Sequence, residues 1–111
     1  MNYNKINLSS KFVFIQNDFD CIYFRGHFFI DDKLYFGEAG ANYILRHPSF
    51  IPENGFFSIV KIKEDIIKII SDKSGSIIVY YLLNDKHFII SDKVKDINKY
   101  FPDYKLIDDC L

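Results

Sequence analysis

"NGFFSIVKIKEDIIKIISDKSGSIIVYY", residues 54–81, is the stretch on which the fold turns. Apolar, β-branched and aromatic residues fill the runs 55–63, 65–72 and 76–83, which are separated only by "ED" at 64–65 and "DKSG" at 72–75. Runs of this length and composition read as strands, and such short connections join antiparallel neighbours. "HFIISD" (87–92), after the turn "NDK" (84–86), completes an expected β-meander. The run 76–83 is apolar at every position after Ser76, so it reads as a central strand covered on both faces. Its entry, "SDKSGS", lacks the G-x-x-x-x-G-K-[ST] pattern and has strands on both sides, so it reads as a hairpin turn rather than a phosphate loop.

Outward from this stretch the pattern continues. "KFVFI" (11–15) and "CIYFRGHFFI" (21–30) read as strands joined by the turn-prone "QNDFD". Gly26 interrupts the second, where a bulge or a close backbone approach is expected. "DDK" (31–33) is a turn. "GEAGANYILRH" (37–47) reads as a helix stopped by Pro48, which pushes its predecessor out of helical space. Its small centre, Ala39-Gly40-Ala41, suits close approach to a sheet. "KVKDINKYF" (93–101) reads as a short amphipathic helix, with Val94, Ile97 and Tyr100 or Phe101 on one side and Lys93, Lys95 and Lys99 on the other. No repeat is apparent. Residues 1–10 are polar and expected to be loosely held, and 102–111 form a linker-like tail on a single domain spanning 1–111.

Bulk properties exclude several classes. The 111 residues suffice for one core without staples. A net charge of −1 and the lack of a Lys/Arg cluster argue against nucleic-acid binding. No segment reaches the ~18–20 apolar residues of a membrane span, and "MNYNKINLSS" lacks a signal peptide's apolar core. Cys21 and Cys110 are too few for a disulfide framework, so a reduced, cytoplasmic protein is expected.

Residues 54–98 carry a resemblance. Asn54, Gly55 and Phe57 match an "NG-x-F" strand, and Asp72 with Gly75 an acidic "D-x-x-G" turn. Tyr80 and Tyr81 match "PLYY", with Ile78 in place of its proline, and Phe88, Ser91 and Lys95 match "F-x-x-S-E-x-K-x-L". The region thus resembles the class II glutamine amidotransferase domain of the asparagine synthetase family. The resemblance implies an α+β fold of the N-terminal nucleophile hydrolase type, an antiparallel β-sandwich flanked by helices, here shortened. Coverage is thin before residue 34.

The same resemblance marks what is missing. The family's nucleophile is a cysteine directly after the initiator Met, its own α-amine serving as base; Asn2 stands there. The family's Asn-Gly oxyanion hole is matched by Arg25-Gly26, which keeps a backbone N–H and lacks the amide. Where the family holds the glutamine amine with an acid, this chain has Ala39 or Gly40, with Glu38 only adjacent. A vestigial pocket of Arg25, Gly26, His27 and Glu38 is therefore expected, with no catalytic residue and no metal.

Other residues read blandly. Cys21 has no activating neighbour at a telling spacing and reads as an inert cysteine. Ser9 or Ser10 could become a nucleophile only through self-cleavage. His27, His47 and His87 lack metal-ligand spacing. Asp31-Asp32 and Asp108-Asp109 read as solvated turn charges.

The expectation is a pseudoenzyme: a non-catalytic amidotransferase-like scaffold or partner of an asparagine synthetase-like, ATP-dependent amide- or lactam-forming biosynthetic enzyme. Contact would be in cis or in trans, with a homo-oligomer as the other arrangement. No cofactor is expected here; ATP and magnesium would belong to the partner synthetase domain. The alternatives are an active amidotransferase or hydrolase with a displaced nucleophile, and a small-molecule or peptide binding module using the vestigial pocket. The tail "YKLIDDCL" resembles the linker into a synthetase domain, as in an excised domain or a free-standing relative.

Overall fold

The computed structural model describes residues 3–64, 66–83 and 87–93. The chain is α+β, mostly antiparallel in its pairing, with one helix among the described residues. It divides into two compact units, Met1–Ser9 with Val79–Leu111, and Ser10–Ile78.

The larger unit is a sheet with a helix on one face. Strands β2 (Val13–Gln16), β3 (Asp20–Ile30), β4 (Lys33–Phe36), β5 (Gly55–Lys63) and β6 (Ile66–Ser71) form it, and α1 spans Gly37–Arg46. The order is β2-β3-β5-β6, all antiparallel, with β4 also on β3. The length of β3 permits this: Cys21–Phe24 pair with β2 and His27–Ile30 with β4. The turn before β3 is set by Asn17, whose Oδ1 accepts the N–H groups of Phe19 and Asp20 at 2.8 and 2.7 Å. Asp31, at φ 54°, turns β3 into β4.

Side chains alternate across this sheet. Ile22, Phe24 and Phe28 of β3 and Phe57 and Ile59 of β5 point to the side of α1 and are buried with its Ala41 and Ile44. Two conditions let α1 lie this close. Its apolar positions fall at helical spacing, and Gly40 has no side chain: a Cβ there would sit 2.7 Å from Cε2 of Phe24. The helix ends as expected at Pro48, with the His47 N–H closing on the Tyr43 and Ile44 carbonyls. Its buried positions are Gly40, Ala41 and Ile44, while Ala39 is exposed.

The smaller unit is a three-stranded sheet of order β1-β8-β7, from β1 (Tyr3–Asn7), β7 (Tyr80–Leu83) and β8 (His87–Ser91). β7 and β8 are antiparallel, Tyr80 opposite Ser91, whereas β1 runs parallel to β8. Ile89 and Ile90 are fully buried.

Several expectations are corrected. The sheets are not purely antiparallel, because β1 joins β8 in parallel. Polar residues of the N-terminus, expected to be loose, supply that strand, since backbone pairing needs no apolar side chain on every face. The meander breaks after β6, which pairs with β5, while β7 pairs with β8. The run 76–83 shortens to Tyr80–Leu83, at the edge of its described sheet, with Tyr81 59% exposed. The strand buried on both faces is β5, where Phe57, Ser58, Ile59 and Val60 are all buried. Its weak alternation was the sign of this. β4 takes Lys33 from the expected turn and 34–36, for which no element was expected. The helix expected at 93–101 and the tail 102–111 lie outside the described residues, apart from Lys93.

Candidate functional site

Two of the motif residues, Phe57 and Gly75, bond to a third, Asp72. In register, Phe57 and Asp72 are the next pair after Ser58 and Ser71. The Asp72 N–H donates to the Phe57 carbonyl at 3.2 Å, as a ladder residue would. The return bond comes from the side chain: Oδ1 accepts the Phe57 N–H at 3.0 Å. This frees the Asp72 carbonyl to accept the Gly75 N–H at 3.0 Å and turn the chain.

Two hydroxyls, Ser74 within the turn and Ser76 beyond it, point back to the same carboxylate. Ser74 Oγ donates to Oδ2 at 2.5 Å and Ser76 Oγ to Oδ1 at 2.9 Å. The Ser74 N–H adds a bond to Oδ2 at 3.2 Å. These donors hold the carboxyl well below the usual carboxylate range, the Ser74 hydroxyl contributing most, while burial opposes them. Such saturation explains how a carboxylate only 7% exposed remains ionised. The expected "SDKSGS" hairpin is thus corrected: the carboxylate caps the β5–β6 ladder, and the segment leads out of this sheet instead of into a paired β7.

Asn54, Gly55, Phe57 and Asp72 line one open cleft of about 900 Å³, with Glu53, Lys73 and Ser74 at its rim. The Asn54 carbonyl accepts the Phe29 N–H at 3.2 Å, so this motif asparagine also has a backbone role. Tyr80, Tyr81 and Ser91 belong to the smaller unit. There Ser91 is fully buried and its Oγ accepts the Lys93 N–H at 3.0 Å.

The vestigial pocket does not assemble as expected. Arg25 and His27 alternate with Phe24 and Phe28, so they lie on the sheet face away from α1; Glu38 is exposed on α1 itself. His27 makes edge contacts with Phe29 and Phe56 at centroid distances of 5.6 and 5.7 Å. Gly26 and His27, with Phe29, Leu34 and Phe36, line a shallow apolar depression of about 430 Å³ that includes neither Arg25 nor Glu38.

Gly26 has a structural reason to be glycine. Its φ is 107°, and a Cβ would collide with the Phe56 carbonyl oxygen. Its pairing with Phe57 stays in register, so it marks a close backbone approach and no bulge.

The remaining candidates stay apart. Cys21 is half-buried, its Sγ 3.7 Å from Oε1 of Gln16. His47 stacks on Tyr43 at 4.0 Å, at the end of α1. Asp31 and Asp32 are exposed turn residues. Among the described residues no group of three or more His, Cys, Asp or Glu could hold a metal ion, and no helix is long and apolar enough to cross a membrane.

Two features escaped the sequence reading. Ser58, 1% exposed between Arg25 and Ser71 in register, has a buried Oγ with no hydrogen-bond partner. The second feature is a repeat. "IISDK" occurs at 69–73 and again at 89–93, and both copies end a strand with an aspartate that takes a neighbouring N–H. In the second copy Asp92 Oδ2 accepts the Ser9 N–H at 3.0 Å. The identical pentapeptides were visible, but their common role needs the hydrogen bonds.

In comparisons with protein-family models, curated proteins and solved structures, the chain matches none.

Proposed function

We propose that the chain is a non-catalytic, glutaminase-like scaffold that acts as partner to an asparagine synthetase-like, ATP-dependent amide- or lactam-forming enzyme. The observation that carries this reading is the Asp72–Phe57–Gly75 arrangement. The acidic residue and glycine of the resemblance do structural work there, ending one hairpin and releasing the chain toward β7 and β8. The division into a β5–β6 pair in one sheet and a β7–β8 pair in another also supports a two-sheet amidotransferase-like plan.

The site side of the comparison supports loss of chemistry. Arg25 stands where the family's amide donor is expected, and Glu38 is on the other side of the sheet from Arg25 and His27. Gly26 is explained by packing alone. Any ATP and magnesium would be held by the partner.

Incubating the purified chain with glutamine tests the catalytic half: no glutamate should be released. Affinity capture from the native source tests the partner half, and the captured protein should form amides at the expense of ATP.

A second reading, a peptide or small-molecule binding module, is favoured by the depression beside Gly26 and His27. A ligand found by thermal shift whose effect persists in Arg25→Ala but disappears in His27→Ala would fit it.

A further inference from the structure

A further cavity lies at the other end of the larger unit, on the α1 side of the sheet. It measures about 180 Å³, and its apolar wall comes from Ile22, Ile44, Leu45, Pro48 and Ile66. Lys61, Lys63 and Lys68 also line it, and among the described lining residues they are opposed by one acid, Asp20.

This charge arrangement is built into the register. Lys61 and Lys68 are directly opposite each other on β5 and β6, and Lys63 is opposite Asp20 on β3. Like charges directly across a sheet oppose each other by up to about 1 kcal/mol. Both ammonium groups could relieve this by turning to water. Lys61 instead reaches across to the end of α1, its Nζ donating to the Pro48 carbonyl at 2.9 Å. This exposed hydrogen bond holds the ammonium beside the cavity, and the residue as a whole is half-buried.

We propose that this cavity binds a small organic carboxylate, with the carboxylate between Lys61 and Lys68 and the hydrocarbon body against Leu45, Pro48 and Ile66. Size fits: a dry cavity of roughly 150 Å³ is known to accept benzene. Chemistry fits as well, because a carboxylate can take charge-assisted bonds from two ammonium groups. The apolar wall disfavours inorganic phosphate, which would leave anionic oxygens facing Ile and Leu. The field at Lys61 points the same way. Burial first, and Lys68 second, lower its pKa against the pull of Asp20, as expected for two ammonium groups held close together. This inference is independent of the scaffold reading, since it uses none of the motif residues.

The test is a titration of the ¹⁵N-labelled full chain at neutral pH and fixed ionic strength with sodium benzoate, benzamide or inorganic phosphate. Benzoate should give saturable shifts at the amides of Ile22, Leu45 and Lys61, with at least about tenfold tighter binding than neutral benzamide. Lys68→Met should weaken benzoate about five- to tenfold and leave benzamide unchanged; Lys68→Gln should do the same. Equal affinity for benzoate and benzamide would overturn the proposal, as would phosphate binding there as tightly as benzoate. So would an absence of saturable shifts at these amides, or benzoate binding that ignores both Lys68 variants.

Discussion

Asp72 and Phe57 exchange two hydrogen bonds, one through the backbone of Asp72 at 3.2 Å and one through its carboxylate at 3.0 Å. A side chain here supplies the second bond of a ladder pair whose first bond the backbone still makes. Asp72→Ala removes the acceptor for a buried N–H and for two hydroxyls. It should cost about 2–3 kcal/mol in urea denaturation. Asp72→Asn keeps one oxygen for Phe57 and should cost about 1 kcal/mol.

The same carboxylate sets an acid limb. Its hydrogen bonds hold the folded carboxyl below the ordinary range, so the unfolded chain binds the proton more readily. Its contribution is fully present above the unfolded value of about 4 and is lost as pH falls through the folded one. The urea midpoint should therefore drop between about pH 5 and pH 2. Asp72→Asn should flatten that slope, and Ser74→Ala, which removes the strongest donor, should shorten the limb at its acid end.

Much of this fold was legible in local chemistry. The boundaries of β5, the stop at Pro48 and the small face around Gly40 follow from an apolar run closed by a turn, proline geometry and side-chain size. What was hidden is long-range. Nothing local distinguishes a turn that returns to its own strand from one whose aspartate reaches fifteen residues back to Phe57. Nor does composition say that a polar N-terminal segment supplies β1. The pocket fails for a simpler reason: motif order puts Arg25, His27 and Glu38 near one another in sequence, yet strand alternation sends the first two away from the helix that bears the third.

Two glycines should be intolerant for different reasons. In Gly40→Ala the helix gains about 1 kcal/mol of propensity, but the new methyl meets the fully buried ring of Phe24 at 2.7 Å. Overpacking costs about 1–3 kcal/mol and should prevail, giving a lower thermal midpoint. Gly26→Ala adds a positive φ to a backbone collision and should lose more than about 3 kcal/mol, seen as loss of cooperative unfolding.

Lys68→Glu should have the opposite sign. It replaces a like-charge pair across β5 and β6 by an ion pair with Lys61. A gain of about 0.2–1 kcal/mol is expected at low salt, shrinking as salt is added.

The scaffold reading is tested most directly by capturing the tagged full chain from its native source under cross-linking and identifying its partners by mass spectrometry. The account predicts a stoichiometric ATP-dependent amide- or lactam-forming enzyme, cross-linked to this chain, while the purified chain releases no glutamate from glutamine. Capture without any such enzyme, or glutamine hydrolysis by the chain alone, would contradict it.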